Sequence, residues 1–249
     1  MSRQNREATN RGISNQRVVV LGGSSGIGFA VAQLVVDQGA SAVIASSSPE
    51  RMKEAVAMLD GKAEGHTLDL SNERDIQGFF QNIGNFDHLV FTAGDSLQLS
   101  ELLTTDLGKA RRAFELRYWA VLGAVKYASP FLRKDGSIVL TTGIAGERPQ
   151  KGWALAASVC GAIVSLTRAL AVELAPIRVN AVSPGVVRTN LWNTLHEQDR
   201  NSMYDSLGKS LLVGRVGEAY EIAQAYLFLM REGYSTGQTI TVDGGGVLV

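Results

Sequence analysis

The chain has 249 residues, 45% hydrophobic and 19% charged, and its 24 basic side chains balance 24 acidic ones. That composition is ordinary for a globular enzyme, and the balanced charge gives no signal for nucleic acid or an anionic membrane surface. The single cysteine, Cys160, excludes an intrachain disulfide and suits a reducing compartment, so a cytoplasmic location is expected.

Residues 1–16 are polar and contain no apolar h-region, which argues against a secretory signal. A disordered lead-in is expected there, with one domain over residues 17–249. Val18-Val19-Val20-Leu21 reads as a short buried strand. The turn Gly22-Gly23-Ser24-Ser25-Gly26-Ile27-Gly28 follows and opens an apolar helix from Ile27 to about Val36. Gly22, Gly26 and Gly28 fall in a G-x3-G-x-G spacing. A dinucleotide site uses such glycines for a tight turn, for bare backbone N–H groups facing a diphosphate, and for close helix–strand approach. A glycine-rich turn without a ligand is the plainer alternative.

Strand and helix then alternate. Strands are expected at Ser41 to Ser46, His66 to Leu70, Phe86 to Ala93, Gly136 to Thr142, Ile177 to Ser183 and Gln238 to Val242. Helices are expected from Pro49 to about Leu59, from a Ser71 cap through Ile83, in one piece from about Asp106 to Ala128, from Trp153 to Leu174, and from Glu218 to Met230. The segment from Val186 to about Val213 shows no readable pattern, and no apolar run is read as long enough to cross a membrane. Strands separated by helical spans imply right-handed crossovers. The expected class is α/β: a single Rossmann-like, doubly wound parallel sheet of about seven strands with helices on both faces. His66, His88 and His196 have no ligand spacing, so no metal is expected.

With that order in hand, the chain resembles the short-chain dehydrogenase/reductase family over nearly its whole length. The motifs that carry the likeness are Gly22 to Gly28, Asp69-Leu70, Ala93-Gly94, Leu166-Thr167-Arg168-Ala169-Leu170-Ala171, Arg178-Val179-Asn180, Pro184-Gly185 and Val242-Asp243-Gly244-Gly245. The resemblance implies a nicotinamide cofactor held by Gly22, Ser24, Ser25, Ile27, Gly28, Asp69, Leu70, Ala93, Gly94, Pro184, Gly185, Val187 and Thr189. An NAD site places an acid about 20 residues past the glycine loop. Here that place reads Ser46-Ser47-Ser48 with Arg51 behind it, so Ser47, Ser48 and Arg51 favour the 2′-phosphate of NADP(H). A serine turn that merely caps the next helix is the alternative. The family also implies a homodimer or homotetramer built on the two long helices, and a mobile lid after Pro184-Gly185.

The family reduces carbonyls with an Asn–Ser–Tyr–Lys set. Gap-free alignment puts Arg117, Gly143, Ala156 and Cys160 at those four positions, and Leu21 and Thr92 replace a further Thr and Asn. A lost general acid typically slows a reaction about 10²–10⁴-fold, so ketone reduction by that route is expected to be very slow. Three readings follow: hydride transfer to an acceptor that needs no proton, such as an iminium; a silent nucleotide-sensing or partner-binding module; or another acid drawn from Arg117, Arg148, Thr142 and Trp153. The stretch Arg148-Pro149-Gln150-Lys151-Gly152-Trp153 resembles that of the atypical fungal reductases of the malbrancheamide and paraherquamide pathways, which implies NADPH-dependent iminium reduction and guided Diels–Alder cyclisation. Pro149, Trp153 and Arg117 match their pattern. Gln150 and Lys151 do not, since a carboxylate would pair with an iminium whereas Lys151 would repel it. Arg117 and Trp153 are the candidate catalytic residues. An ion pair for Arg117, a packing role for Trp153 and core filling for Cys160 are the alternatives. The expected partner is a small-molecule substrate, not nucleic acid or a membrane.

Overall fold

The computed structural model describes residues 12–94 and 99–249. Seven parallel strands form the central sheet: β1 (Arg17–Leu21), β2 (Ser41–Ser46), β3 (Ala63–Thr67), β4 (Phe86–Phe91), β5 (Leu132–Thr141), β6 (Arg178–Pro184) and β9 (Thr239–Val242). Their order across the sheet is β3-β2-β1-β4-β5-β6-β9, so the order reverses between β1 and β4. Such a reversal opens a crevice at the carboxyl ends of the strands, where open α/β sheets bind ligands.

Alternate residues of β1 serve two cores, because strand side chains point to opposite faces in turn. Val19 and Leu21 pack with α3 (Glu73–Ile83), α5 (Ala120–Ala128) and α6 (Ala154–Glu173). Val18 and Val20 pack with α1 (Gly26–Asp37) and α8 (Ala219–Arg231), and Ala55 of α2 (Pro49–Met58) joins that side. The expected doubly wound α/β sheet with helices on both faces is the fold observed.

Several local expectations are corrected. The lead-in lies outside the described residues as far as residue 11, but two side chains of residues 12–16 are anchored: Ile13 is 1% exposed and the Gln16 side chain accepts from His88. The third strand lies earlier than His66 to Leu70, at Ala63–Thr67, because pairing with β2 selects it. Leu68 and Leu70 are buried beyond its end. Asn72, not Ser71, caps α3, accepting from the Arg74 N–H at 3.0 Å. The long helix expected over residues 106–128 is α4 (Leu107–Phe114), a π turn (Glu115–Trp119) and α5. The unreadable segment holds β7 (Val187–Arg188), which pairs with β8 (Gly217–Glu218) beyond its end, a 3₁₀ turn and α7 (Glu197–Ser210). Among the described residues one helix, α6, is long and apolar enough to cross a membrane, at 20 residues with a window of mean hydropathy 1.8. Its Val159, Ile163, Thr167, Leu170 and Ala171 are nonetheless buried within the protein.

His88 lies in the middle of β4 and is 2% exposed. Nε2 donates to Gln16 Oε1 at 2.7 Å and Nδ1 accepts from the Ser137 hydroxyl at 2.8 Å. Burial, aided by the charge of Arg178, pushes its pKa down to about 3. Below pH 6.5 the unfolded chain therefore takes up a proton that the folded chain refuses, so His88 makes stability fall from there toward pH 3. The slope approaches about 1.4 kcal/mol per pH unit. Denaturant titrations of wild type and His88→Gln across this range are expected to differ in slope by about that amount. Equal slopes would remove His88 as the cause.

Candidate active site

The crevice is built where three backbones meet. Gly22 ends β1 with φ at +88°, and a Cβ on it would lie 2.6 Å from the Ala93 nitrogen. A Cβ on Gly28 would lie 2.3 Å from the Gly22 carbonyl oxygen and 2.4 Å from Thr92 Oγ1. Thr92 ties the same junction: its N–H and its hydroxyl both donate to the Leu21 carbonyl, at 2.9 and 3.1 Å. The start of α1 is thereby pressed against the ends of β1 and β4. Ser25 precedes α1 without capping it through its side chain, and the first turn carries no acid. Its free N–H groups and the positive end of the helix dipole face the crevice, the arrangement a diphosphate needs. Ile27 is half-buried in this first turn, and Thr189, from the segment after β6, lies against Gly26.

The end of β2 is tied to the loop by serines. Ser24 donates to Ser46 Oγ at 2.8 Å, and Ser46 Oγ also accepts from the Ser48 N–H at 3.2 Å. Ser48 caps α2, accepting from the Arg51 N–H, so the helix-capping reading holds for this residue. Its hydroxyl also donates to Glu50 at 3.2 Å, which brings into the turn a carboxylate that sequence reasoning overlooked. Ser47 and Arg51 are exposed, and among the described residues Arg51 makes no ion pair. Asp69 is exposed, and the Ser71 hydroxyl and N–H hold its pKa below the usual carboxylate value. Leu70 is buried beside it.

At the other end of the crevice, Gly94 leaves room for a large side chain. A Cβ there would lie 3.2 Å from Cζ, Nη1 and Nη2 of Arg117, so the guanidinium rests on the glycine. Arg117 comes from the π turn between α4 and α5, a distortion frequent at functional sites. Across from it on α6 is Cys160. Gly143 and Gly146 face this residue, with a Cβ on Gly143 3.4 Å from its sulfur. Thr142 Oγ1 donates to the Cys160 carbonyl at 3.0 Å. Burial pushes the Cys160 thiol up, against the opposing pull of Thr142, Arg117 and the Gly146 N–H. A cysteine whose thiol is held neutral behaves as packing rather than as a nucleophile. The Thr142–Cys160 link is a contact the sequence reading missed.

Trp153 stands half-buried at the start of α6. Lys151, two residues before it, is paired with Glu101 at 2.7 Å, so the repulsion expected from a free ammonium is offset. Pro184 and Gly185 end β6, and a Cβ on Gly185 would meet Asp243 at 2.8 Å. Val187 is buried, and its carbonyl accepts from Trp192 Nε1 at 3.1 Å. Among the described residues no cluster of three His, Cys, Asp or Glu could hold a metal.

A family model described as enoyl-(acyl carrier protein) reductase matches residues 22–246. The short-chain dehydrogenase/reductase malC of Malbranchea aurantiaca is 30% identical over 95% of this chain and 96% of its own length. The chain belongs to the short-chain dehydrogenase/reductase family. Among solved structures of this fold, the MalC reductase/Diels-Alderase of that organism superposes with a TM-score of 0.89 at 30% identity, covering 95% of this chain and 98% of the other. A small-chain dehydrogenase in complex with NADPH superposes at 0.85 with 36% identity, covering 95% and 100%. An NADPH-bound short chain oxidoreductase from Pseudomonas aeruginosa PAO1, described as containing an atypical catalytic center, does so at 0.86 with 28% identity over 92% and 96%. Against the usual set of this short-chain dehydrogenase/reductase family, α6 carries neither a tyrosine nor a lysine.

The Gly28 contact sets a direct test of the cradle. Gly28→Ala is expected to weaken NADPH binding, read by calorimetry, by roughly tenfold or more, because the added carbon pushes α1 away from the crevice. Unchanged affinity would mean that the loop does not hold the cofactor.

Proposed function

We propose that this chain is an NADP(H)-dependent reductase that delivers hydride to an already activated acceptor, an iminium carbon of the kind found in secondary, indole alkaloid-like metabolism. The reading is carried by the cluster beside Gly94. Gly143 and Ala156 bring no proton there, the Cys160 thiol is pushed up by burial, the Thr142 proton is committed to a carbonyl, and an arginine does not release its own at neutral pH. The NADPH complexes among the relatives and the MalC reductase support it.

Bound NADPH supplies a hydride equivalent and leaves as NADP⁺. Hydride addition turns the C=N π pair of an iminium into a nitrogen lone pair, so the product is a neutral amine and no acid is needed. The protein's task is then positioning. The N–H groups after Gly22, whose own N–H is taken by the Ala45 carbonyl, and the start of α1 hold the diphosphate. Asp69 and Leu70 hold the adenosine, and Ser47 and Arg51 hold its 2′-phosphate, while Ser48 serves as the cap of α2. Ala93, Gly94, Pro184, Gly185, Val187 and Thr189 frame the nicotinamide end. Arg117 returns to this end the cation that α6 lacks, and its planar guanidinium is placed to donate to ribose hydroxyls. The face of Trp153 receives the cationic acceptor, a contact worth about 0.5–2 kcal/mol. The Glu101–Lys151 pair also favours a second reading, in which the same chain guides a cyclisation, because it offsets a charge that would repel the cationic precursor.

The expected outcome is NADPH oxidation with cyclic iminium salts and none with simple ketones or aldehydes. Arg117→Met is expected to lower kcat/KM for iminiums about a hundredfold, and Trp153→Leu to raise KM about tenfold. Fast ketone turnover would overturn the proton-free mechanism. NADPH binding with no turnover of either class would favour the sensing module.

We also propose self-association through the face formed by α6 and the π turn. A groove of about 390 Å³ there is lined by Phe114, Tyr118, Trp119, Ala162, Leu166 and Ala169, with no charge among its lining residues. Aromatic knobs and small-residue hollows on one face suit an isologous pair. Trp119→Glu is expected to shift the assembly to monomer in light-scattering mass measurements, and an unchanged mass would exclude this face.

A further inference from the structure

We propose that Tyr226 and Thr141 are positioning residues for hydride transfer: through one buried chain of hydroxyls they fix the gap between the ends of β4 and β5, beside which the nicotinamide and the acceptor meet. This rests on the reductase reading above. Neither residue is among those the sequence assigned to the site. Tyr226, on α8, is 0% exposed and shares its core cluster with Val90 of β4 and Val139 of β5. Its hydroxyl oxygen lies 2.6 Å from Thr141 Oγ1, and Thr141 Oγ1 lies 2.5 Å from the Phe91 carbonyl oxygen. A threonine has one hydroxyl proton, and a carbonyl can only accept. The Thr141 proton therefore goes to Phe91, and the tyrosine proton goes to Thr141. Burial pushes the Tyr226 pKa up, which keeps that proton in place. The chain thus runs in one direction, from α8 through Thr141 to Phe91, and each bond polarises the next.

The place of the chain gives it a consequence for the site. The paired residues of β4 and β5 run as far as Val90 with Val139. Beyond them the next amides bond outward, Thr92 N–H to the Leu21 carbonyl of β1 and Thr142 N–H to the Val182 carbonyl of β6, both at 2.9 Å. The Thr141 hydroxyl crosses from one strand end to the other. Three residues past Phe91 comes Gly94, on which Arg117 rests, and two past Thr141 comes Gly143, which faces Cys160. The two sides of the candidate site therefore hang on the ends that this chain joins. A phenylalanine and a valine would fill the same space, and replacing both partners of a buried hydrogen bond by apolar groups of like shape can be nearly neutral. Packing alone does not call for the two hydroxyls. What they add is a fixed direction and length between the strand ends, and about 1 Å of misplacement can cost on the order of 100-fold in rate.

The test uses the full-length protein with NADPH and an N-methyl-3,4-dihydroisoquinolinium salt. Thr141→Val/Tyr226→Phe removes both hydroxyls together and orphans neither. It is expected to keep the denaturant midpoint closer to wild type than Thr141→Val does, to lower kcat about tenfold or more, and to change KM by less than about twofold. Thr141→Ser keeps the hydroxyl and is expected to hold kcat within about threefold of wild type. Tyr226→Phe removes a single oxygen; it is expected to lower kcat about threefold and decides the question if the double variant does not fold. Wild-type kcat in the variants that lose the chain, or a loss that Thr141→Ser shares in full, overturns the positioning role. If the wild type does not reduce the salt, the reductase reading fails, and the strand ends are followed instead by amide hydrogen exchange in the NADPH-loaded protein. The Thr92 and Thr142 amides are then expected to exchange about tenfold faster in the double variant while the Val19 amide of β1 keeps its rate. Equal rates, or an equal rise at all three, overturn the role of the chain at this edge.

Discussion

The contact on which the carboxyl edge depends is the three-way meeting of backbones at Gly22, Gly28 and Thr92. A side-chain carbon on either glycine would overlap a backbone or hydroxyl atom of its neighbour. Moving α1 out to relieve that overlap would withdraw its N–H groups from the crevice and loosen the Ala93-Gly94 turn beside them. The device recurs at the other end of the site. Gly94 gives Arg117 a place to rest, and Gly143 and Gly146 let the loop after β5 close on Cys160. Each large group at this edge sits where a smaller neighbour leaves room, so the glycines govern which side chains reach the crevice.

The same packing explains how the site can lose an acid set without losing its shape. Cys160 and Ala156 fill little space on α6, and the cation comes instead from the π turn on the facing helix pair. An arginine differs from a lysine there: its planar fork can hold several oxygens at once and cannot release a proton. On the proposed reading, the shift removes proton transfer while keeping positive charge. With an apolar helix behind it, the cluster suits, on that reading, an acceptor that brings its own activation.

The order of elements was legible because buried parallel strands read as apolar runs: Val18 to Leu21, Ser41 to Ser46 and the runs of β4 and β6 lie within about two residues of expectation. The edge strand β3 was not. Its residues Ala63–Thr67 have no apolar run and are selected by hydrogen bonding to β2, while the apolar Leu68 and Leu70 pack just past its end. The π turn was also hidden, since an extra residue in one turn leaves the apolar spacing on either side intact. The segment after β6 was unreadable because α7 buries only Tyr204 and Gly208, too few positions to impose a period. In the site, the glycine loop, Ala93-Gly94 and Arg117 were legible as motif positions. The Glu101–Lys151 pair and the Thr142–Cys160 link join residues far apart in sequence, and spacing carries no trace of them.

Helix α6 shows how composition misleads when read without its neighbours. Its apolar residues satisfy two surfaces. Val159, Ile163, Thr167 and Leu170 follow the spacing of one stripe and face the core, while Ala162, Leu166 and Ala169 follow another and line the groove with Phe114, Tyr118 and Trp119. A stripe for the sheet and a second stripe along the outer groove together make a helix apolar on most of its circumference, which is also the signature of a membrane span. The π turn belongs to both environments, since its five residues carry Arg117 to Gly94 and Trp119 to the outer groove. Any force that seats Trp119 also acts on the short segment that aims Arg117. In this chain the proposed self-association face and the candidate cation site are therefore two sides of one piece of backbone.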